Sequence, residues 1–218
     1  MTLVPALLWT APAAALGALT LLLGLTRGAW IGLAAGLVLA AALVRPRVLL
    51  LLPMAVTLLL LAAPQSVLSR AVATSDLDQP ATRERLGMIS TGLAMVRDRP
   101  ILGVGPGMVQ PAYTEYRRDG APQRIPHLHN NIIQIAAERG LIGLAAYLAM
   151  LGTFVIHIRH GLKTSGENAR PALVGCLLAV VGVTAAGLFE YNWGDAEVWI
   201  VTLASLSAPF ALAPREAR

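Results

Sequence analysis

The sequence predicts an all-α fold: a polytopic membrane helical bundle of about six transmembrane helices with an extracytoplasmic helical loop. Three observations support this. Of the 218 residues, 56% are hydrophobic and 13% are charged, whereas about a quarter of a soluble domain is charged. Several apolar runs approach the roughly 20 residues that a helix needs to cross a hydrocarbon core. Between the third and fourth runs, charged residues, prolines and glycines interrupt the apolar pattern.

The apolar runs divide the chain into three parts. Residues 1–63 contain three predicted spans, residues 64–140 form the loop, and residues 141–218 contain three more spans. The first run lacks a basic start and is too long for the apolar core of a signal peptide, so it is predicted to be a span. The six spans are expected at about residues 3–25, 29–44, 48–63, 141–158, 170–189 and 196–213.

Short basic segments predict the orientation. RPR (45–47), HIRHGLK (157–163) and the tail PREAR (214–218) all fall on one side of the predicted bundle. Lys and Arg in short loops favour the cytoplasmic side. The loop 64–140 is therefore predicted to be extracytoplasmic, together with TRGAW (26–30) and EYNWGD (190–195).

The net charge of +5 is compatible with nucleic-acid binding. In a membrane protein it is better explained by cytoplasmic loops and contact with anionic membrane lipids, so no nucleic-acid partner is expected. The single cysteine, Cys176, lies in an apolar run. It is expected to be a buried thiol rather than part of a disulfide or a metal cluster.

Helical spacing continues inside the loop. Leu86, Ile89, Leu93 and Val96 recur at intervals typical of an amphipathic helix, predicted over about residues 82–98. GVGPG (103–107) is predicted to be a tight turn, because a nucleotide-binding glycine loop needs a preceding strand.

Two shorter elements complete the loop. A short helix carrying Tyr113 and Tyr116 is predicted between residues 106 and 118, and another helix is expected to start near His129. The glycine in Glu138-Arg139-Gly140 is expected to mark the break where that last helix turns into the fourth span.

Arginines at the predicted membrane boundary are candidates for binding anions. Arg27 lies between two spans, where an unpaired charge is costly; it is either functional or a side chain that reaches the interface. Arg83 and Arg85 are two residues apart, so only one is expected to face a given site. A guanidinium binds phosphate oxygens in a bidentate manner. The alternative explanation for Arg83 and Arg85 is that they lie on a solvated helix face.

HLHNN (127–131) places histidines and asparagines where a helix begins. The positive end of a helix favours a neutral imidazole, the form that accepts a proton, so His129 is a candidate general base. His127 lies further into the loop and fits a structural hydrogen bond better. Two histidines alone do not make a zinc site, and no further ligand follows at metal-ligand spacing. Glu190 and Asp195 either pair with the arginines, orient a sugar hydroxyl or lie at the interface.

Four segments in this order resemble the O-antigen ligase/polymerase family of bacterial surface-polysaccharide membrane proteins. They are TRGAW, RERLGMISTGLAMVRDRPILGVGPGMV, HLHNNIIQIAAERGLIGLAAYL and GLFEYNWGD, and the resemblance covers roughly residues 20–200. It implies a GT-C-like fold in the bacterial inner membrane. It also implies transfer of a glycan from an undecaprenyl-diphosphate carrier to a lipid A-core or glycan acceptor on the outer face, without a metal or another cofactor.

The resemblance also implies roles for individual residues. The motif positions match Arg27, Arg85 and His129: two arginines on the carrier diphosphate, where they would stabilise developing charge, and a histidine base. The expected substrate-binding residues are Arg83, Asn130, His127, Tyr113, Tyr116, Glu190 and Asp195.

This chain departs from the family pattern in two ways. Family members usually have Trp where this chain has Ile89, and they have more spans than the six predicted here. The chain therefore resembles the C-terminal half of a member and is expected to be a fragment or to require an upstream membrane half. A protein O-oligosaccharyltransferase and a non-catalytic membrane subunit that binds lipid-linked glycan are the alternative functions.

Overall fold

The computed structural model describes residues 27–44, 46–51 and 80–212, and isolated positions at 12, 15–17, 19–21, 53, 54, 57 and 61. These residues form helices and loops, and no strand occurs among them. The all-α prediction is confirmed. The first and third predicted spans fall largely outside the described residues, so the number of spans stays a prediction.

Six α-helices and one 3-10 helix occur in the described part of the chain. In order they are α1 (Arg27–Val44), the 3-10 helix (Pro46–Leu51), α2 (Pro80–Asp98), α3 (Val109–Tyr116), α4 (Asn131–Thr164), α5 (Arg170–Ala186) and α6 (Ala196–Ala211). Of the described helices, α4 is the one that is long and apolar enough to cross a membrane, while α1, α5 and α6 are shorter apolar helices. The loop helices predicted near 82–98 and within 106–118 correspond to α2 and α3.

Glycines bring α1 and α5 into close contact. A Cβ on Gly32 would lie 2.4 Å from the carbonyl oxygen of Gly182, and Gly28 and Gly36 face α5 one turn away on either side. Small residues at four-residue intervals are typical of helix pairs in membranes, because they let the backbones approach. A Cβ on Gly28 would be 3.7 Å from Phe189. The start of α1 therefore lies beside the chain that leaves α5.

The apolar part of the molecule has its core between α4, α5 and α6. Buried side chains meet there, and large apolar side chains such as Ile156 and Ile200 remain exposed on the outside. Exposed contiguous apolar surface is unusual in a monomer in water and is typical of a lipid-facing surface. The core residues are Phe154, Ile158, Leu173, Leu177, Val180 and Leu206.

A second core packs α2, α3 and the following loop onto the first part of α4. Its buried members are Met88, Met95, Val109, Tyr113, Ala121, Ile125, Leu128 and Ala137. Gly92 permits the close approach of α2, because a Cβ there would lie 2.3 Å from Ile133 and 2.8 Å from Leu128. This packing fixes the segment on both sides of His129.

α4 breaks at Gly140, which has φ 64° and ψ −170°. The predicted break at Glu138–Gly140 is confirmed. A break frees backbone groups of the helix on both sides, and residues 100–105 bind four of them. The N–H groups of Val104 and Gly105 donate to the carbonyls of Ala137 and Glu138 at 2.8 and 3.0 Å.

On the other side of the break, the N–H groups of Leu141 and Ile142 donate to the carbonyls of Pro100 and Ile101 at 2.7 and 3.5 Å. We call residues 100–105 the splice segment. Its glycines at 103 and 105 have φ values of 69° and 114°. The predicted GVGPG turn is thus present, and together with Pro100 and Ile101 it joins the two halves of α4.

Candidate active site

The side chain of Asn130 is used within the protein. Asn130 caps α4: its Oδ1 accepts a hydrogen bond from the N–H of Ile133 at 2.9 Å, and its Nδ2 donates to the carbonyl of Leu188 at 2.8 Å. The predicted contact of Asn130 with substrate stays a prediction beside these two structural contacts. Asn130 is the N-cap of α4. It also forms part of a tether between α4 and the segment after α5.

Asn131 completes that tether. It is 1% exposed, its N–H donates to the carbonyl of Gly187 at 2.7 Å, and its Nδ2 donates to Oδ1 of Asn192 at 2.7 Å. Its Oδ1 accepts from the N–H groups of Asn192 and Trp193, each at 3.2 Å. A Cβ at Gly187 would lie 2.1 Å from Nδ2 of Asn131, so this contact requires glycine. The two asparagines hold residues 187–193 against the start of α4.

The tether brings a carboxylate to His129. Nδ1 of His129 lies 2.7 Å from Oε1 of Glu190. An ionised carboxylate only accepts hydrogen bonds, so in this arrangement Nδ1 carries the proton and Nε2 of the neutral ring keeps its lone pair. The carboxylate thus holds the His129 ring in one orientation through Nδ1. Glu190 was predicted to contact substrate or the arginines, and the structure places it on the histidine.

The backbone of His129 has φ 50°, the one positive φ at a non-glycine residue in the described ranges. Histidine, asparagine and aspartate tolerate this left-handed region better than other residues. Such strained positions cluster at functional sites. The conformation turns the chain at the last residue before the N-cap and sets the ring next to Glu190.

His127 packs against the pair. The ring centroids of His127 and His129 are 4.3 Å apart, and Nδ1 of His127 accepts from the N–H of His129 at 3.4 Å. Burial lowers the pKa of His127, and the neighbouring His129 adds to that effect, whereas Glu190 and Asp195 oppose it. His127 thus contacts the His129–Glu190 pair, and its predicted role in substrate binding stays a prediction.

A cavity of about 760 Å³ adjoins this cluster. His127 lines one part of its wall, with Arg139 and Asp195 nearby, and Tyr191, Trp193 and Trp199 contribute aromatic rings. Ile200 and Leu203 of α6 form an apolar side. Ligand cavities typically combine apolar and aromatic walls with a few polar groups. Asp195 was predicted as a substrate-binding residue, and it does line this cavity.

The sequence-based prediction missed Arg139, Trp193 and Trp199. Arg139 donates to Oε2 of Glu138 at 2.6 Å, and Oε1 of Glu138 accepts from Gln134 at 2.8 Å, which compensates a buried carboxylate. Trp199 donates to the carbonyl of Trp193. The aromatic residues of EYNWGD at the end of a span were the available signal, but their convergence with Arg139 depends on the tertiary fold.

Arg27 is the first residue of α1. Its neighbour Gly28 would place a Cβ 3.7 Å from Phe189, the residue before Glu190. The backbone therefore brings Arg27 to the end of the bundle where His129 and Glu190 meet. Three segments that are distant in sequence converge there.

The loop arginines Arg83 and Arg85 are both exposed at the start of α2. Residues seven apart on a helix share a face, so Arg85 lies on the face of Gly92, which packs against Leu128 and Ile133. Arg83 lies four residues from Gly87, whose face packs against Ala121. Of the two, Arg85 is on the side of the His129 segment, and its contact with phosphate stays a prediction.

The two tyrosines belong to the loop core. Tyr113 is 2% exposed, and its hydroxyl donates to the carbonyl of Pro122 at 3.1 Å; burial raises its pKa. Tyr116 donates to Oδ2 of Asp98 at 2.5 Å, joining α3 to α2. The interpretation of Tyr113 as a sugar platform is wrong, because no ring face is accessible. Tyr116 is likewise engaged within the loop.

Comparison with known proteins identifies the family. A family model described as O-antigen ligase matches residues 12–148. A "putative polysaccharide ligase" of Rickettsia prowazekii is 28% identical over 151 residues, covering 66% of this chain and 36% of the relative. One of Rickettsia conorii is 24% identical over 156 residues, covering 66% and 35%. No solved structure matches.

The chain thus spans about a third of the length of these relatives. Glu190 and the two cavity tryptophans lie beyond the segment that the family model matches. That segment does include His129, Asn130, Asn131 and all three candidate arginines. The chain belongs to the O-antigen ligase family, whose members are membrane-bound.

Proposed function

We propose that this chain takes part in glycan transfer from an undecaprenyl-diphosphate carrier to an acceptor hydroxyl at the outer face of the bacterial inner membrane. The acceptor is lipid A-core or another glycan. The observation that carries the proposal is the 2.7 Å contact between His129 and Glu190, which prepares a general base in a member of a ligase family.

In the proposed step, the acceptor oxygen attacks the anomeric carbon of the donor sugar and its proton passes to Nε2 of His129. The bond between that carbon and the diphosphate oxygen breaks, and its electron pair leaves with the carrier. Glu190 stabilises the imidazolium that forms, the role a carboxylate has beside a catalytic histidine in hydrolases. A positioned base typically contributes about 10²- to 10⁴-fold to such a rate.

The leaving group becomes more negative as the bond breaks. Arg27 and Arg85 are proposed to bind the diphosphate oxygens, where fixed positive charge lowers the barrier. Arg27 belongs to the converging end of the bundle, and Arg85 to the face of α2 that packs beside His129. Arg83 faces the Ala121 side and is proposed to be less important.

The cavity is proposed to hold the sugar next to the scissile bond. Trp193 and Trp199 offer ring surfaces for stacking on a pyranose, and Asp195 and Arg139 offer partners for hydroxyl groups. The apolar side at Ile200 and Leu203 suits the lipid end of an amphiphilic ligand. The proposal therefore concerns a lipid-linked saccharide rather than a free sugar.

The match to the Rickettsia prowazekii relative covers 36% of that relative, so most of it lies outside the matched region. We propose that an upstream membrane half completes the bundle around the carrier lipid. Membrane lipids contact the exposed apolar surface of α4, α5 and α6.

Transfer can be measured in nanodiscs containing this chain, with and without the N-terminal half of a full-length family member. The donor is a carrier-linked glycan, and the acceptors are lipid A-core and a second carrier-linked glycan. His129→Asn is the key variant, because asparagine tolerates the left-handed backbone and cannot act as a base. His160→Asn, at the far end of α4, is the matched control.

We expect transfer by the wild type and the control, and a loss of about 10²-fold or more for His129→Asn. Full activity of His129→Asn would remove the base assignment. Binding of the donor without transfer, even with the upstream half, would favour the non-catalytic subunit. Transfer to a serine- or threonine-containing peptide but to neither glycan acceptor would favour protein O-oligosaccharyl transfer.

A further inference from the structure

His127, His129 and Glu190 form a potential cation site at the edge of the cavity. One ligand atom from each residue lies within 4.8 Å of the others. Oε1 of Glu190 is 3.5 Å from Nδ1 of His127 and 2.7 Å from Nδ1 of His129. The sequence-based argument against zinc was the lack of a third ligand at local spacing. The fold supplies that ligand from 61 positions further along the chain.

The spacing is close to that of a zinc site. Zinc binds histidine nitrogen and carboxylate oxygen at about 2.0–2.2 Å, so two ligands of a tetrahedral site lie about 3.3 Å apart. The 3.5 Å between Nδ1 of His127 and Oε1 of Glu190 is already close to this distance. The 2.7 Å between Nδ1 of His129 and the same oxygen must lengthen by about half an ångström. The three side chains are 25%, 31% and 47% exposed, so their rings and carboxylate have room to adjust.

The types of ligand select among metal ions. Two imidazoles and one carboxylate suit zinc and related transition metals, whereas magnesium and calcium prefer oxygen ligands. The backbone of the site is held on both sides by the asparagine tether, through Asn130 to Leu188 and Asn131 to Asn192. The fourth tetrahedral position would be open to water.

Metal binding would require no net loss of protons from His127 and His129. Nδ1 of His127 accepts the N–H of His129, so its lone pair is available to a metal once that weak bond at 3.4 Å is given up. Nδ1 of His129 carries a proton in its bond to Glu190. When a metal takes that nitrogen, the proton moves to Nε2, where the neutral ring then has no lone pair. The metal-bound histidine cannot accept a proton from an acceptor hydroxyl.

We infer that this cluster binds Zn²⁺ reversibly and that the bound ion inhibits glycan transfer by occupying the proposed base. The inhibitory part rests on the proposed function, and the binding part does not. Zinc is here an inhibitor and not a cofactor, so transfer proceeds without it.

Binding is tested by titrating Zn²⁺ into the full chain in nanodiscs, purified with a tag free of histidine, and by the visible spectrum of four-coordinate Co²⁺. The chain has four histidines, which makes a matched comparison possible. His127→Asn removes a ligand and leaves the contact between His129 and Glu190, while His157→Asn and His160→Asn alter the two histidines at the other end of α4. Zinc inhibition of transfer is measured on the same samples.

We expect one Zn²⁺ per chain, binding weakened by about tenfold or more in His127→Asn, and unchanged binding in the two controls. Zinc should inhibit wild-type transfer, a chelator should restore it, and His127→Asn should require at least about tenfold more zinc for the same inhibition. Absence of stoichiometric binding, or equal weakening in the controls, would overturn the site. Binding at this site without inhibition would overturn the inhibitory role. A wild type that binds zinc but transfers no glycan would contradict the proposed function instead.

Discussion

The two halves of α4 follow opposite rules of burial. Residues 131–139, before the break at Gly140, bury polar side chains: Asn131, Gln134 and Glu138 are among the most enclosed residues of the helix. Residues 141–164 expose large apolar side chains, including Leu148 and Ile156, and bury a smaller set against α5 and α6. One continuous segment of chain thus serves two environments.

The difference shows what each half is built to do. In the first half every buried polar group named above has a partner: Gln134 accepts from the N–H of Leu128 and donates to Glu138, and Glu138 also binds Arg139. Satisfied polar networks specify a unique arrangement, since leaving any member unpaired is costly. In the second half the outward surface is apolar, as expected where the surroundings are lipid. The first half therefore fixes the segments that pack around it, and the second half presents an apolar surface to its surroundings.

The largest effect is expected at Glu190, which lies in the segment bound by Asn131 of the first half of α4. Glu190→Gln keeps a hydrogen-bond acceptor near Nδ1 of His129 but removes the charge that stabilises the imidazolium. We expect transfer to fall by about 10²- to 10⁴-fold with little change in stability. Glu197→Gln, an exposed substitution in the first turn of α6, is the control and should retain activity. If the two variants transferred glycan equally well, the charge of Glu190 would have no role in transfer.

Gly140→Ala tests the break between the two halves of α4. A Cβ there would lie 2.1 Å from the carbonyl oxygen of Ile101, and φ is 64°, so alanine is both clashing and strained. We expect a loss of about 3 kcal/mol in the free energy of unfolding, measured by denaturant titration in detergent. Gly152→Ala, in the second half with open space around it, should be neutral or stabilising by up to about 1 kcal/mol. Similar effects of the two would contradict a specific break.

Leu148→Asp tests the environment of the second half. Leu148 is exposed near the middle of the apolar segment, and a charge at the centre of a membrane helix costs about 2.5–3.5 kcal/mol in insertion. We expect a reduced inserted fraction by protease protection and fluorescence. Leu148→Ala removes volume but adds no charge, and it should insert normally. If the aspartate variant inserts as well as the alanine variant, this face is not in lipid.

Asn131→Ala tests the tether between the first half and the Glu190 segment. Losing its side chain leaves the N–H groups of Asn192 and Trp193 without their acceptor, at a cost of about 1–3 kcal/mol. Because Glu190 lies in the released segment, transfer should fall as well. Asn168→Ala, in the exposed turn before α5, should alter neither quantity. A stable and fully active Asn131→Ala variant would show that the tether does not position Glu190.

Local sequence signals predicted much of the fold. The spacing of Leu86, Ile89 and Leu93 predicted that α2 is a helix, although Leu86 and Leu93 are exposed and Met88 and Met95 lie on its buried face. Gly140 was recognised as the break. Both features depend on residues close together in the chain. The order of motifs also pointed to the family. These features are set by helical periodicity and by the left-handed backbone that glycine tolerates.

Contacts between distant segments could not be predicted in the same way. The pairing of His129 with Glu190 joins residues 61 positions apart, and nothing in their spacing indicates it. Asn130, which was expected to bind substrate, caps α4, and Tyr113 is buried in the loop core. A polar side chain near a site is equally compatible with building the site and with touching the ligand, and only its tertiary partners distinguish the two.

The splice segment determines how the two halves of α4 are connected. A membrane helix accommodates a thinner or thicker hydrocarbon layer chiefly by changing its tilt, and a rigid 34-residue helix would carry His129 with it. Here the hydrogen bonds at the break run to residues 100–105 rather than along α4. Because residues 100–105 bind carbonyls before Gly140 and N–H groups after it, the angle between the two halves is set by a segment of the preceding loop rather than by the hydrogen bonds of one continuous helix.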